Sequence, residues 1–181
     1  MSTPQAKMNK PAADEYAAYY QKYVGLLPDA DVVAILGQQM QSTRGLLASI
    51  DEAQAGSRYA PDKWSIKELV GHLIDTERVF AYRAMRFARN DQAPLSGFEQ
   101  DDYVRNGDFD SRSLADLAAE FEHLRRSNIH FFQGLSEDAW ARRGMANDSE
   151  VSVRALAHIM AGHEVHHVQI LKTRYLGMET Y

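Results

Sequence analysis

The residues best suited to chemistry in this 181-residue chain are histidines. His163 and His167 stand four apart. On an α-helix that spacing puts both on one face, about 6 Å apart along the axis, so two imidazoles can converge on one ion. At 100° per residue their midpoint lies in line with Leu156 and within about 40° of Met160 and Ile170, so the pair points toward a core. His72 occupies a second apolar stripe, between Leu69 and Thr76. Two facing helices can therefore bring three imidazoles to one point, and bundle cores accommodate such metal sites. Three His ligands leave positions open for water or substrate, as catalytic sites do. The plainer alternative is a set of ordinary core histidines, each satisfied by one hydrogen bond, in a chain with seven His. Three imidazoles on buried stripes would then each need a partner.

The segment from His163 to His167 also fits H-E-x-x-H, in which the Glu serves as general base on metal-activated water. Glu164 lies about 80° off the ligand direction, as does His166 on the other side. Either could flank a metal pocket, and either could be an interface or solvent residue. A protease would need a cleft bordered by a strand, and no strand signal is apparent. Asp75 could orient an imidazole through its free N–H, or pair with Arg83 or a neighbouring helix. His123 and His130 lie off the main stripe of their helix and read as surface or rim residues; His158 reads as peripheral.

The elements that must position these side chains are helical, because apolar residues recur at helical spacing almost throughout. A tyrosine-rich segment around Ala12–Val24 precedes a first long helix from about Asp31 to Ala53. The second starts at a capping box, Ser65 with Glu68, and runs to about Arg89. The third begins near Ser113 and stops at Gly134; the fourth spans Ser152 to about Tyr175. A polar link with Trp140 as anchor joins the last two. Between the second and third lies a long acidic stretch, Asn90–Asp110, which reads equally as a lid or as an irregular crossover. Four stripes of this kind pack around one core, giving an all-α four-helix bundle. We expect a single domain over 12–181 behind a disordered tail, 1–11.

Bulk properties narrow the partners. A 45% hydrophobic content suffices for a core. The net charge of -5 and pI near 5.8 give no support for nucleic-acid binding. The basic stretches, Arg83 to Arg89 and Lys172 to Arg174, read as ordinary helix surface, although Arg83 itself also falls on the stripe of the second helix with Leu69, His72, Thr76, Phe80 and Phe87. The absence of cysteine removes disulfides, thiolate ligands and a Cys nucleophile. The polar start, Met1 to Lys10, is no signal peptide, and no stretch is long and apolar enough to span a membrane. The expectation is a cytoplasmic protein with a small-molecule substrate.

The run Lys63 to Arg78, with its W-S-x-K-E…H-x-x-D pattern, resembles the second helix of the DinB-like (damage-inducible) superfamily, and Met160 to Ile170, with H-x-x-H-H-x-x-Q-I, resembles its closing helix. The tyrosine-rich start and the acidic loop fit as well, so the resemblance covers nearly everything after residue 12. It implies an up-up-down-down bundle, a homodimer, and a divalent ion, zinc or nickel, held by His72, His163 and His167. His166 is not a ligand in that pattern. Among relatives are S-transferases and isomerases that use low-molecular-weight thiols, and others are called metal-dependent hydrolases. The leading expectation is therefore a metal-dependent enzyme of the thiol-transferase or hydrolase type. Since the chain has no thiol, a transferase would need one as cosubstrate. The alternatives are a binding or stress-response module with a structural metal, and a plain scaffold with none.

Overall fold

A computed structural model describes residues 9–179, so most of the tail expected over 1–11 lies outside the described residues. Four long helices form the bundle: α1 (Val32–Ala48), α2 (Ile66–Ala88), α3 (Leu114–Gln133) and α4 (Val153–Ile170). Each starts where a short polar side chain accepts a backbone N–H of the first turn: Asp31, Ser65, Ser113 and Ser152. The box at Ser65 closes both ways, with Glu68 N–H donating to Ser65 Oγ and Ser65 N–H to the Glu68 carboxylate. Expected and observed starts of the four helices agree to within one or two residues.

The ends differ more. α1 stops at Ala48 rather than near Ala53, because Asp51 starts a new short helix, Glu52–Ala55, through a box with Gln54. α3 does end at Gly134, but with φ of -83° the glycine's left-handed freedom is not used. α4 widens into a π-helical turn, Leu171–Tyr175, and Tyr175 donates its hydroxyl to the Trp64 carbonyl at 2.6 Å.

Side-chain contacts fix the helix directions. Arg125 reaches the Leu36 carbonyl and Arg44 pairs with Glu122, so α1 and α3 are antiparallel. His72 meets His163 and His167 while Trp64 meets Tyr175, so α2 and α4 are antiparallel. Gln39 binds the Ala161 carbonyl and Thr43 binds Glu164, so α1 runs with α4. Glu52, just past the end of α1, touches both Lys67 and Leu114, so α2 and α3 start at one end and run together. Taken around the bundle as α4, α1, α3, α2, the order is up, up, down, down.

That order explains the long acidic stretch. α2 ends at the opposite end of the bundle from the start of α3, about 34 Å away for 23 helical residues. The link must climb the whole bundle. It contains a short helix, Gln100–Asn106, and a 3₁₀ turn, Phe109–Ser111, so it is more ordered than an irregular crossover. On its way it pairs with a hairpin at Leu95, passes the Arg83 side chain at Ser96 and reaches Ser65 at Asp110. Phe109 lies over Gly71, where an added Cβ would come within 2.3 Å of the ring.

The link before α4 is not simply polar. It holds a helix, Glu137–Ala141, and an antiparallel hairpin, β1 (Arg143–Ala146) with β2 (Ser149–Ser152). Asn147 and Asp148 turn it with φ of 52° and 58°, the positive pair that a two-residue hairpin requires. Trp140 is buried and stacks on Phe132, as an anchor should. The core forms two apolar clusters, one joining α1, α2 and α3 around Ile66, Val70, Ile74 and Phe121, the other around Leu36, Phe80, Phe87 and Leu156. Along α2, between Ile74 and Phe80, lie the buried polar residues Thr76 and Glu77. No helix among the described residues is long and apolar enough to cross a membrane.

Candidate metal centre

His72 leaves the first third of α2 and meets His163 and His167 from α4. The meeting atoms are all Nε2: His72 lies 3.0 Å from His163 and 3.2 Å from His167. All three ligand atoms fall within 4.8 Å of one another. His72 and His163 are buried and His167 is half-buried. Three lone-pair-bearing atoms this close repel unless protons or a cation lie between them. One Nε2 of His72 offers a single proton or a single lone pair to both neighbours, whereas a cation at the centre satisfies all three. Zinc–nitrogen bonds of 2.0–2.1 Å in tetrahedral geometry place ligand nitrogens about 3.3 Å apart, close to the separations here. The donor set fits a divalent ion.

The surroundings keep these imidazoles neutral and correctly turned. Burial pushes His72 down to about 4 and His167 down to about 2, and it pushes His163 well below the usual histidine range, with the neighbouring imidazoles adding to the effect. Neutral imidazole is the form that ligates metals. Thr76 Oγ1 lies 3.4 Å from His72 Nδ1, placed to receive its N–H and leave Nε2 as the ligating atom. Trp64 lies over His72 with ring centroids 4.7 Å apart and stacks on His167 at 6.4 Å. Tyr23 presents an edge to His163 at 5.4 Å, and Phe80 does so at 6.1 Å. The N-terminal segment can come this close because Gly162 lacks a side chain; a Cβ there would stand 2.2 Å from the Tyr23 carbonyl oxygen.

Two cavities reach the cluster from opposite ligands. One, of about 720 Å³, is bordered by His167, Trp64, Arg58 and Arg105. The other, of about 420 Å³, is bordered by His72, His163, Tyr20 and Arg83. Asp101, on the short helix of the crossover, borders both. The long acidic stretch thus covers the site.

The other candidate residues fall elsewhere in the structure. Glu164 points into the core: Thr43 donates to it at 2.6 Å and the Arg125 guanidinium pairs with it at 2.7 Å. Arg125, without exposed surface, also grips Glu77 at 2.8 and 2.7 Å, and Asn128 donates to Glu77 at 2.9 Å. A carboxylate so engaged is a helix-to-helix tie, not a free base. Asp75 pairs with Arg78, and Thr76 takes the place beside His72. His166 packs edge-on against Tyr23, outside the three-nitrogen cluster. His123 and His130 are exposed as expected. His158 is not peripheral but fully buried, with Nδ1 against the Arg154 carbonyl. Arg83 is likewise buried, not part of a helix surface. Of the residues that sequence reasoning missed, Arg125 and Asn128 had a signal. With Phe121 and Phe132 they repeat at helical spacing on one face, so their polarity concealed buried positions.

A DinB superfamily model matches residues 35–171. Among solved structures, YfiT from Bacillus subtilis, described as a probable metal-dependent hydrolase with an unusual four-helix bundle topology, superposes with a TM-score of 0.73 at 13% identity, covering 94% of each chain. A mycothiol-dependent maleylpyruvate isomerase superposes with a TM-score of 0.62 at 15% identity, over 76% of this chain and 58% of that one. At these identities the likeness is one of fold. No curated protein sequence matches significantly.

Proposed function

The chain belongs to the DinB superfamily, and from that premise we propose that it is a metal-dependent enzyme whose divalent ion, zinc or nickel, is held by His72, His163 and His167. The observation that carries this reading is the meeting of three Nε2 atoms between two cavities. A structural ion would favour a closed shell of four protein ligands; this cluster has three and faces space on two sides. When bound, such an ion supplies Lewis acidity that brings a water or a thiol toward deprotonation near neutral pH.

The chain's own residues do the rest. Thr76 Oγ1 stands where it can receive the His72 Nδ1 proton, which would turn Nε2 to the ion. Trp64 shields His72 and His167 from bulk water, while Tyr23 and Phe80 wall His163. Glu164 ties α4 to α1 and α3 immediately beside His163. Two cavities suit two reactants, one a nucleophile and the other an electrophile. The chain has no cysteine, so a thiol nucleophile enters as a cosubstrate. One fold neighbour is a mycothiol-dependent isomerase and the other is described as a probable metal-dependent hydrolase, so the fold admits either nucleophile; the resemblance of the motifs to thiol-using relatives puts the thiol-dependent transferase first.

The test is thiol consumption by zinc- or nickel-loaded protein against a panel of small electrophiles, beside ester and amide hydrolysis without thiol. Metal-dependent turnover that requires a thiol is the expected result. Turnover that needs metal but no thiol would replace the transferase with a hydrolase. A tightly bound ion with no turnover in either screen would favour the structural-metal alternative.

A further inference from the structure

Two arginines are buried among the described residues, Arg83 and Arg125, and their surroundings differ. Arg125 is held between two carboxylates. Arg83 is 4% exposed, yet no carboxylate among the described residues lies within ion-pair distance of it. One of its N–H groups donates to the Ser96 carbonyl at 2.9 Å, the Tyr20 hydroxyl lies beside it, and its guanidinium sits 5.9 Å from the Phe98 ring centroid. A buried cation without a counter-charge costs stability, so such a group calls for a partner that the folded chain does not itself supply.

Its position indicates where that partner would sit. Arg83 borders the same 420 Å³ cavity as His72 and His163. It follows His72 by eleven residues on α2, three turns within about 20° of the same face. The backbone distance is about 16 Å, and helical side chains lean toward the N-terminus. His72 leans the same way, so the longer arginine closes only part of that gap and its guanidinium stays on the order of 10–15 Å from the histidine cluster. That span and volume suit a compact molecule, not a nucleotide or a peptide. Between the two ends the wall is aromatic, with Tyr20, Tyr23 and Phe80. Glu99 and Asp101 also border the cavity, but both are exposed and keep their hydration.

We infer that this cavity seats a small carboxylic acid, its carboxylate held by Arg83, its flat or apolar body against Tyr20, Tyr23 and Phe80, and its other end toward the three histidines. The planar guanidinium fork matches a carboxylate in two parallel hydrogen bonds. The inference rests on the metal-enzyme reading only for the direction of the reacting end; the anion subsite stands on Arg83 and its cavity alone.

The experiment is calorimetric titration of the zinc-loaded and the chelator-stripped chain with sodium benzoate, benzamide and inorganic phosphate, repeated with Arg83→Gln, Arg83→Lys and His163→Ala. Metal content and melting temperature are measured for each sample. Benzoate should bind the wild type, bind Arg83→Gln at least tenfold more weakly at unchanged metal content, and bind Arg83→Lys with intermediate affinity. Benzamide, which lacks the charge, should bind weakly to all. Arg83-dependent benzoate binding that persists when no zinc is taken up would support this inference while sinking the metal reading. Benzoate binding that survives Arg83→Gln but is lost in His163→Ala would put the carboxylate on the metal and overturn the inference with the metal reading intact. No benzoate binding to the wild type, or Arg83-dependent binding of phosphate alone, would also overturn it. Should Arg83→Gln fail to fold, the comparison rests on Arg83→Lys, for which affinity equal to wild type with both benzoate and phosphate would count against the carboxylate fork.

Discussion

Arg125 carries its charge with no exposed surface, between Glu77 of α2 and Glu164 of α4. Burial opposes its charge, and the two carboxylates more than restore it. Arg125→Ala would leave two carboxylates facing each other in the core. Losing one member of such a buried ionic group costs about 3–5 kcal/mol, and urea unfolding of the variant should show a loss of that size. A change below about 1 kcal/mol would mean that the network contributes little. At this scale the sequence was informative about His72, His163 and His167 and misleading about His158, Arg83 and Arg125, whose polar types read as surface. An i,i+4 His pair in line with Leu156 has few surface explanations. Arg83 and Arg125 both fall in line with apolar residues of their helices, but an arginine's type points to solvent, and only the neighbours from other helices show that the spacing is the better guide. Glu164 illustrates the same limit: its angle from the ligand direction placed it at the edge of the site, while Arg125, far away in sequence, decided which way it turned.

The helices were legible from their stripes and caps; the connections were not. The length of the acidic stretch had a physical cause that no local pattern carries, namely that α2 and α3 run in parallel and the chain must return between them. The hairpin escaped because its strands, Arg143–Ala146 and Ser149–Ser152, are short and only weakly apolar, and its turn is Asn-Asp. Two docking contacts give predictions at this scale. In Gly71→Ala the new methyl would press on Phe109, and in Gly162→Ala it would press on the Tyr23 backbone. Overpacking of this kind costs about 1–3 kcal/mol. Thermal melting should show both losses, and hydrogen exchange should rise locally in the crossover for the first and in the tyrosine segment for the second. That segment is also fastened by Glu15, which accepts from Ser152 Oγ at 2.7 Å and from the Ala12 N–H at 2.8 Å, and pairs with Arg154. Burial raises the Glu15 carboxyl, but Arg154, Ser152 and the Ala12 N–H outweigh it and hold the group below the usual glutamate range. A depressed carboxyl contributes stability above its unfolded value of 4.5, and that contribution is lost as pH falls through the lower folded value. Glu15→Gln should therefore be less stable than wild type at pH 7, with the gap closing as the pH is lowered from 5 toward 3. A gap that stays constant with pH would contradict this account.

For the whole molecule, the bundle and its three-histidine cluster form one system, because the three imidazoles join α2 to α4 across the core. An ion that binds only the folded state adds about 2.7 kcal/mol when free metal is at 100 times its dissociation constant. Stripping metal with a chelator should accordingly lower the wild-type melting temperature and leave that of His163→Ala almost unchanged. The up-up-down-down order was expected from family resemblance, not from the residues. What the residues supplied was the face on which each histidine stands, and that was enough to bring them together. The central claim is the ion itself, and it is tested most directly by elemental analysis of protein purified without a histidine tag, wild type beside His163→Ala. The account predicts about one zinc or nickel per chain in the wild type and almost none in the variant. A wild type that carries no metal, and takes up none when zinc or nickel is offered, would contradict it.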